Sequence, residues 1–298
     1  MKRVLSLIMA LLAGSGAFAQ PAMPFIRTDR NPATSAMGGA EAVSPLYNPG
    51  VVPFAEKSDV TASYQLWAPS TMGMHHINLL GGIRLGDRFG LTISGAYQMG
   101  KSYTVTDEAG AVRGTFSPAE YLGGAGLGFR ITDGLGIGGA FRFSAQHLAE
   151  NALKKAFSAD LFVVYRQGGI IVTGGIASIG TSVAAAASDP GKHFLPTSAK
   201  IGAGYAFSME EGRIQVAADA DYFLFCGGVG IAAGVEYAYK ELVFLRSGIH
   251  LGSDSIPFPT YVSLGAGVKF SGVHLDISYL TINNVIGNTL TAGIGYEF

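Results

Sequence analysis

The chain has 298 residues, a formal net charge of −1 and 14% charged residues, against about 25% in typical soluble proteins. Its 48% hydrophobic content and 43 glycines accompany a positive mean hydropathy of +0.32. The balanced charge gives no basis for nucleic-acid binding. The single cysteine, Cys226, excludes an intramolecular disulfide, and its apolar neighbours predict a small core filler rather than a nucleophile.

Residues 1–19 have the three parts of a secretory signal peptide. Met1–Arg3 is basic, Val4–Leu12 is apolar, and Ala17–Ala19 forms a small-x-small cleavage site before Gln20. The apolar run is too short to span a bilayer, and a buried N-terminal helix is the alternative. We expect an exported mature chain that begins at Gln20.

Residues 20–57 are irregular, and we predict that they form a plug inside a barrel. The stretch "ATSAMGGAEAVSPLYNPGVVPFAE" at 33–56 is too broken for a helix and too rich in proline for an interior strand. Irregular backbone is tolerated at membrane depth only where protein or water shields it. The alternative is a disordered periplasmic tail.

Two short runs form the predicted plug motif. The Gly pair is expected to let the backbone pass close to the wall, where no Cβ would fit. Asn-Pro-Gly is expected to form a type II turn with positive φ at its glycine. The motif residues are Gly38, Gly39, Asn48, Pro49 and Gly50.

From residue 58 to residue 298 the chain alternates apolar and small polar side chains with period two, as half-buried strands do. After the signal, no run approaches the roughly 18 consecutive apolar residues of a membrane helix. A hydrophobic, exported chain without such helices indicates an all-β, antiparallel transmembrane β-barrel, because only a closed barrel then pairs every backbone group. We predict about fourteen strands, with twelve left open, over 58–67, 74–85, 88–98, 120–131, 134–144, 156–166, 169–178, 197–207, 212–222, 229–239, 242–252, 259–270, 273–280 and 288–298.

The connections between these strands are alternately short and long. Tight turns such as 86–87 and 271–272 alternate with connections such as 99–119 and 179–196. Short periplasmic turns and longer extracellular loops are typical of outer-membrane barrels. We therefore expect the chain to lie in the outer membrane of a Gram-negative cell, in contact with its lipid.

The predicted inward face carries charges of both signs, which must pair or contact water in a low-dielectric lumen. They predict either a structural network that holds the plug or a polar translocation path. The residues are Arg84, Arg88, Arg130, Arg142, Asp160, Arg166, Lys200, Arg213, Asp219, Asp221, Arg246, Lys269, Asp276 and Glu297.

Other candidate chemistry is weak. Asp219 and Asp221 with His250 and the serines of "GSDS" at 252–255 could activate water or form a triad, but such pairs arise freely on a lumenal face. His75 and His76 point to opposite faces of a strand and cannot ligate one metal ion without a bend. We predict a noncatalytic protein without a metal or cofactor.

Three features resemble the FadL-like fatty-acid-transporter superfamily. They are Met37–Ala40, Tyr47–Gly50 followed by "VVPFAE", and a barrel that ends in Phe298. Within that superfamily the chain is most similar to the PorV/PorQ branch associated with type IX secretion in Bacteroidetes. The resemblance implies fourteen strands, an N-terminal plug, and secretion components or exported cargo as partners. The chain is shorter than PorV, which fits a PorQ-like protein or another paralogue better.

Two functions follow as hypotheses. The first is a PorV/PorQ-type barrel that supports type IX secretion or surface attachment. The alternative is a FadL-like channel for small hydrophobic substrates, which needs an apolar pocket beside the plug and a lateral opening or kink in a wall strand. A lumen filled only by charged pairs and water would exclude the channel.

Overall fold

The computed structural model describes residues 21–28, 31–67, 69, 73–150, 152–184, 192–256, 258–282 and 287–298. The predicted signal peptide, 1–19, lies outside the described residues. No helix among the described residues is long and apolar enough to cross a membrane.

Fourteen antiparallel strands within these residues close into one barrel, in which each strand pairs with its neighbours in the sequence and the first strand pairs with the last. This confirms the predicted fold and the count of fourteen. The predicted strand ends differ from the observed ones by at most three residues, at His147 and Leu153. The wall strands are β1 (Asp59–Trp67), β2 (Met74–Leu85), β3 (Phe89–Met99), β6 (Ala119–Arg130), β7 (Leu135–His147), β8 (Leu153–Gln167), β9 (Ile170–Gly180), β12 (Ser198–Met209), β13 (Gly212–Phe223), β14 (Val229–Tyr239), β15 (Val243–Gly252), β16 (Tyr261–Phe270), β17 (Val273–Thr281) and β18 (Thr289–Glu297).

The wall turns an apolar face outward. In β12, Ile201 is 65% exposed whereas the adjacent Lys200 is buried, and Leu127 and Leu264 are similarly exposed on other strands. An apolar outer face is costly in water and favourable in lipid. The closed barrel also leaves no unpaired strand edge. The protein is therefore an outer-membrane barrel, as predicted.

The long connections contain two further hairpins that the sequence analysis did not predict. One pairs β4 (Tyr103–Thr106) with β5 (Val112–Phe116), and the other pairs β10 (Val183–Ala184) with β11 (Lys192–His193). Both lie at the end of the barrel with long connections, which we assign as extracellular. They raise the rim on this side.

The plug, in its described residues 21–28 and 31–55, lies against the inner face of the wall, whereas Glu56 and Lys57 are exposed. It contains a one-turn helix, α1 (Pro32–Ala36), where the sequence predicted no helix at all. Asn31 caps α1, because its side chain accepts hydrogen bonds from the N–H groups of Ala33 and Thr34. The α1 helix contacts β15 to β18, and the 3-10 turn Val52–Phe54 contacts β2, β3 and β6. Gly50 lies against β7 and β8, and Ala42 is hydrogen-bonded to Asp219 of β13, so the plug touches strands around most of the barrel.

Candidate functional site

The Gly pair of the plug motif contacts the wall. Gly38 and Gly39 have φ values of +74° and +82°, which glycine adopts at little cost. A Cβ on Gly38 would overlap the backbone of Ile249 in β15. Ser263 of β16 fixes this approach, because its Oγ donates to Ala36 O at 2.9 Å and accepts from Gly38 N at 3.1 Å.

The Asn48–Gly50 segment forms a turn of another type than predicted. Val51 N donates to Asn48 O at 3.0 Å, but Gly50 does not have positive φ, so the predicted type II turn is wrong. Gly50 is needed for space instead, since a Cβ would lie 2.9 Å from Val164 Cγ2. The buried Asn48 side chain braces the turn by accepting from Gly50 N at 3.0 Å and donating to Ala42 O at 2.8 Å.

Three of the predicted inward arginines surround the end of the plug on the periplasmic side. Arg84 donates to Glu56 O at 2.9 Å, Arg166 donates to Phe54 O, and the guanidinium of Arg130 lies 5.5 Å from the centroid of the Phe54 ring. Arg88 was placed on the inward face by alternation, and this is wrong. It is exposed in the turn that follows β2, where the period-two pattern no longer applies.

Five charged residues join the plug to the wall at mid-barrel, and we call them the floor cluster: Arg27, Glu41, Lys200, Asp219 and Asp221. Lys200 Nζ lies 2.9 Å from Glu41, 3.0 Å from Asp221 and 3.4 Å from Asp219. Arg27 Nη2 lies 2.8 Å from Asp221 and 3.6 Å from Glu41. Asp219 also accepts hydrogen bonds from the N–H groups of Glu41 and Ala42, both at 2.7 Å.

Arg142 and Asp160 form a separate buried ion pair between β7 and β8. Asp160 also accepts from Ser178 N at 2.7 Å, where Ser178 has a φ of +58° and the register of β8 with β9 shifts. The register shift is a β-bulge in the pairing of β8 with β9, next to the Arg142–Asp160 ion pair.

The periplasmic half of the lumen holds ten ionisable side chains that follow one another with alternating sign, and we call them the periplasmic charge chain. Each neighbouring pair is within 3.5 Å. The order is Lys57, Glu297, Lys269, Glu241, Arg213, Glu236, Arg246, Asp276, His274 and Asp59. Each charge in this network has an opposite neighbour on one or both sides, so removing one member would leave a charge unpaired.

Only part of this charge chain was predicted from the sequence. Arg213, Arg246, Lys269, Asp276 and Glu297 were assigned to the inward face, and the structure brings them together. Asp59, Glu236 and His274 were missed, although each occupies an inward position of its strand and could have been found by alternation.

Lys57 and Glu241 lie outside the strands, so alternation could not find them. Burial opposes ionisation of Glu241, but the hydrogen bond from Arg213 and the charges of Arg213 and Lys269 outweigh it and lower the pKa of Glu241. The hydrogen bond with Glu297 raises the pKa of Lys57.

Above the floor cluster, the extracellular half of the lumen contains a cavity of about 900 Å³, the outer cavity. Arg27, Glu41, Lys200 and Asp221 form its floor. Its wall is mostly apolar, with Phe25, Trp67, Met74, Phe223, Tyr261 and Leu280 among the lining residues. The polar side chains of the wall include the buried Glu120, which accepts hydrogen bonds from Gln98 and Gln146.

Two smaller cavities continue toward the periplasm. One of about 60 Å³ shares Arg27 and Glu41 with the outer cavity and is also lined by Leu46 and Arg142. The other, of about 260 Å³, shares Leu46 with the 60 Å³ cavity and is lined by much of the periplasmic charge chain. The lumen is thus a series of spaces that the plug narrows at Arg27, Glu41 and Leu46.

The residues that could have formed a hydrolytic site, a reactive thiol or a metal site make structural contacts instead. Asp219 binds the plug backbone, His250 Nδ1 lies 2.9 Å from Pro259 O, and Ser253 and Ser255 are hydrogen-bonded to each other. Cys226 is buried beside Phe223 and Ile256. Among the described residues, no three His, Cys, Asp or Glu side chains are grouped to hold a metal ion.

His75 and His76 lie on opposite faces of β2. His75 is hydrogen-bonded to Tyr64 on the outside, whereas His76 is buried and its Nδ1 lies 3.0 Å from Gln65 Oε1.

No protein-family model and no curated protein matches the sequence. Solved structures do match. A monoaromatic hydrocarbon channel, CymD, has 13% identity and a TM-score of 0.59 over 91% of this chain and 97% of its own. The toluene transporter TodX of Pseudomonas putida has 12% identity and a TM-score of 0.58 over 90% and 97%. The likeness is one of fold. A more distant FadL homologue of Pseudomonas aeruginosa has 10% identity and a TM-score of 0.45 over 89% and 94%.

Proposed function

We propose that this protein is an outer-membrane channel that admits small hydrophobic molecules. The observation that carries the proposal is the outer cavity, which offers about 900 Å³ of mostly apolar space between the extracellular rim and the plug. A site of this size is typical of those that bury drug-sized ligands. The similar structures, a monoaromatic hydrocarbon channel and a toluene transporter, support the same class of substrate.

The physical basis is transfer of apolar surface out of water. Burying it yields about 25 cal/mol per Å², and Phe25, Trp67 and Tyr261 supply aromatic surface for the contact. The floor cluster then stops the molecule at mid-barrel. Further passage needs movement of the plug at Arg27, Glu41 and Leu46, where the cavities narrow.

A lumen filled only by charged pairs and water would exclude a channel, and this lumen is not of that kind. Charged pairs fill the periplasmic half of the lumen, but the extracellular half is mostly apolar. The similar structures named above are channels and transporters rather than enzymes, which supports a noncatalytic role.

Trp67 provides a direct binding test, because it lines the outer cavity and is the one tryptophan in the chain. The hydrophobic dye N-phenyl-1-naphthylamine accepts energy from excited tryptophan. Titrating the dye into the protein in lipid nanodiscs should give saturable quenching of Trp67. Gly230→Phe adds an aromatic ring inside the cavity and should raise the dye concentration that gives half-maximal quenching several-fold.

Gly230 is suited to this test because an added Cβ would meet no atom closer than 3.4 Å. The matched control is Gly123→Phe, which places the same side chain on the exposed outer face with no atom within 4 Å of the Cβ. If both variants quench like the wild type, the dye is in the lipid rather than in the cavity, and the proposal is wrong.

The secretion hypothesis rests on the sequence resemblance of Met37–Ala40 and Tyr47–Gly50 alone, and it stays a prediction. Its test is a deletion strain, which should mislocalise cargo that carries C-terminal sorting domains. Normal cargo delivery would contradict it.

A further inference from the structure

The floor cluster as a whole has an excess of negative charge, whereas its four members that line the outer cavity, Arg27, Glu41, Lys200 and Asp221, are balanced. The floor cluster contains three carboxylates, on Glu41, Asp219 and Asp221, and two cations, on Arg27 and Lys200. All five side chains are at most 14% exposed. Each cation already contacts two or three carboxylates, so a ligand carboxylate would add a negative charge to a site that already has one in excess.

Arg27 nevertheless has hydrogen-bond donors left over. A guanidinium carries five N–H donors, and among the described residues only Nη2 of Arg27 contacts carboxylates. Its Nε is buried and has no hydrogen-bond partner there, and the side chain is 10% exposed. Arg27 lines both the outer cavity and the 60 Å³ cavity below it. A ligand oxygen in the cavity cannot reach the buried Nε, so the donor that it meets is the other terminal nitrogen, Nη1, which also has no hydrogen-bond partner among the described residues.

We propose that the preferred ligands of the outer cavity are neutral amphiphiles, with an apolar body and one uncharged oxygen such as that of a ketone, ester or alcohol. The oxygen accepts a hydrogen bond from Arg27, and the apolar body lies against Phe25, Trp67 and Tyr261. This inference rests on the proposed function, since it names the substrate class of the same cavity. It makes Arg27 a specificity-determining residue.

The alternatives differ in charge. A fatty-acid carboxylate meets the negative excess, and a plain hydrocarbon leaves the donors of Arg27 unused. An alkylammonium is attracted by the excess, but it must compete with Arg27 and Lys200 for the same carboxylates.

Four probes of equal chain length separate these cases: decane, 2-decanone, decanoate and decylamine. Each displaces N-phenyl-1-naphthylamine from the full chain in nanodiscs, with concentrations corrected for partition into empty nanodiscs. For the wild type, 2-decanone should displace the dye at a concentration about tenfold or more below those of the other three, as expected for a hydrogen bond to a charged group.

Arg27→Met keeps an unbranched apolar stem and removes the hydrogen-bond donors of the guanidinium. It should abolish the advantage of 2-decanone over decane. The matched control is Arg113→Met, because Arg113 lies on β5 with its side chain 70% exposed. Heat-modifiable gel mobility confirms that each variant is folded.

Three results would overturn the inference: decanoate or decylamine displacing the dye best, decane matching 2-decanone, or Arg27→Met weakening decane and 2-decanone equally. With dye binding intact, each of these leaves the proposed function standing. If the wild type binds no dye at all, the proposed function fails first.

Discussion

At the scale of single residues, Asp219 shows how the wall holds the plug. One carboxylate oxygen accepts from two backbone N–H groups of the plug, at Glu41 and Ala42, and the same oxygen lies 3.4 Å from Lys200 Nζ. Hydrogen bonds to charged groups contribute about 1.5–3 kcal/mol each. Loss of this carboxylate should therefore loosen the plug next to the floor of the outer cavity.

Asp219→Ala tests this anchor. Glu41 and Asp221 still balance Arg27 and Lys200 in the variant, so no uncompensated charge is left. We expect openings in planar bilayers to become about tenfold or more frequent, with unchanged heat-modifiable mobility. Asp87→Ala is the control, because that side chain is 97% exposed in the turn after β2. A folded Asp219→Ala that opens no more often than the control would show that Asp219 is not an anchor.

At the scale of elements, the plug and the wall fit because glycines face each other. A Cβ on Gly248 of β15 would overlap Met37 and Gly38, and one on Gly138 of β7 would overlap Pro49 and Gly50. Plug and wall backbones therefore approach more closely than other residues allow. The wall strands are hydrogen-bonded to one another without the plug, so the barrel should survive a looser plug.

Replacing both Gly38 and Gly39 with Val should displace the plug and leave the barrel folded. Val at Gly38 would overlap the backbone of Ile249 and also be strained at positive φ. The expected result is a higher single-channel conductance than that of the wild type. Gly86→Val separates the two causes, because Gly86 has a φ of +73° but no neighbour within 4 Å. If the folded double variant conducts no better than the wild type, the segment does not plug the barrel.

Sequence predicted the wall well because period-two alternation is a local property, visible within each strand. The partners in the ion pairs were harder to predict from the sequence. Lys269 meets Glu241 through the pairing of β15 with β16, and Arg27 meets Asp221 across 194 positions of chain. Inward positions can be read from one strand, but the partner of each depends on register and on the path of the plug.

The turn at Gly50 also shows that local sequence cannot predict what tertiary contacts decide. Asn-Pro-Gly favours a type II turn locally, yet the native turn keeps Gly50 out of positive φ. The backbone there is set by Gly138 and Val164 of the wall and by the hydrogen bond from Asn48 to Ala42. Tertiary contacts overrode the local preference.

At the scale of the whole molecule, the lumen has two unlike halves. The extracellular half is a large, mostly apolar cavity, and the periplasmic half is lined by a charge chain in which each charge has an opposite neighbour. The plug separates them at Arg27, Glu41 and Leu46. An apolar molecule therefore gains most from the extracellular half, and its release depends on movement of the plug.

The most direct test of a channel for hydrophobic molecules is uptake of N-phenyl-1-naphthylamine by intact Gram-negative cells that carry the protein, since an intact outer membrane excludes this dye. Cells with the wild type or Gly123→Phe should take up the dye several-fold faster than cells with an empty vector. Gly230→Phe should lower uptake several-fold relative to the wild type at equal surface levels. If wild-type cells take up the dye no faster than vector cells, or if Gly230→Phe matches the wild type, the protein does not admit hydrophobic molecules through its outer cavity.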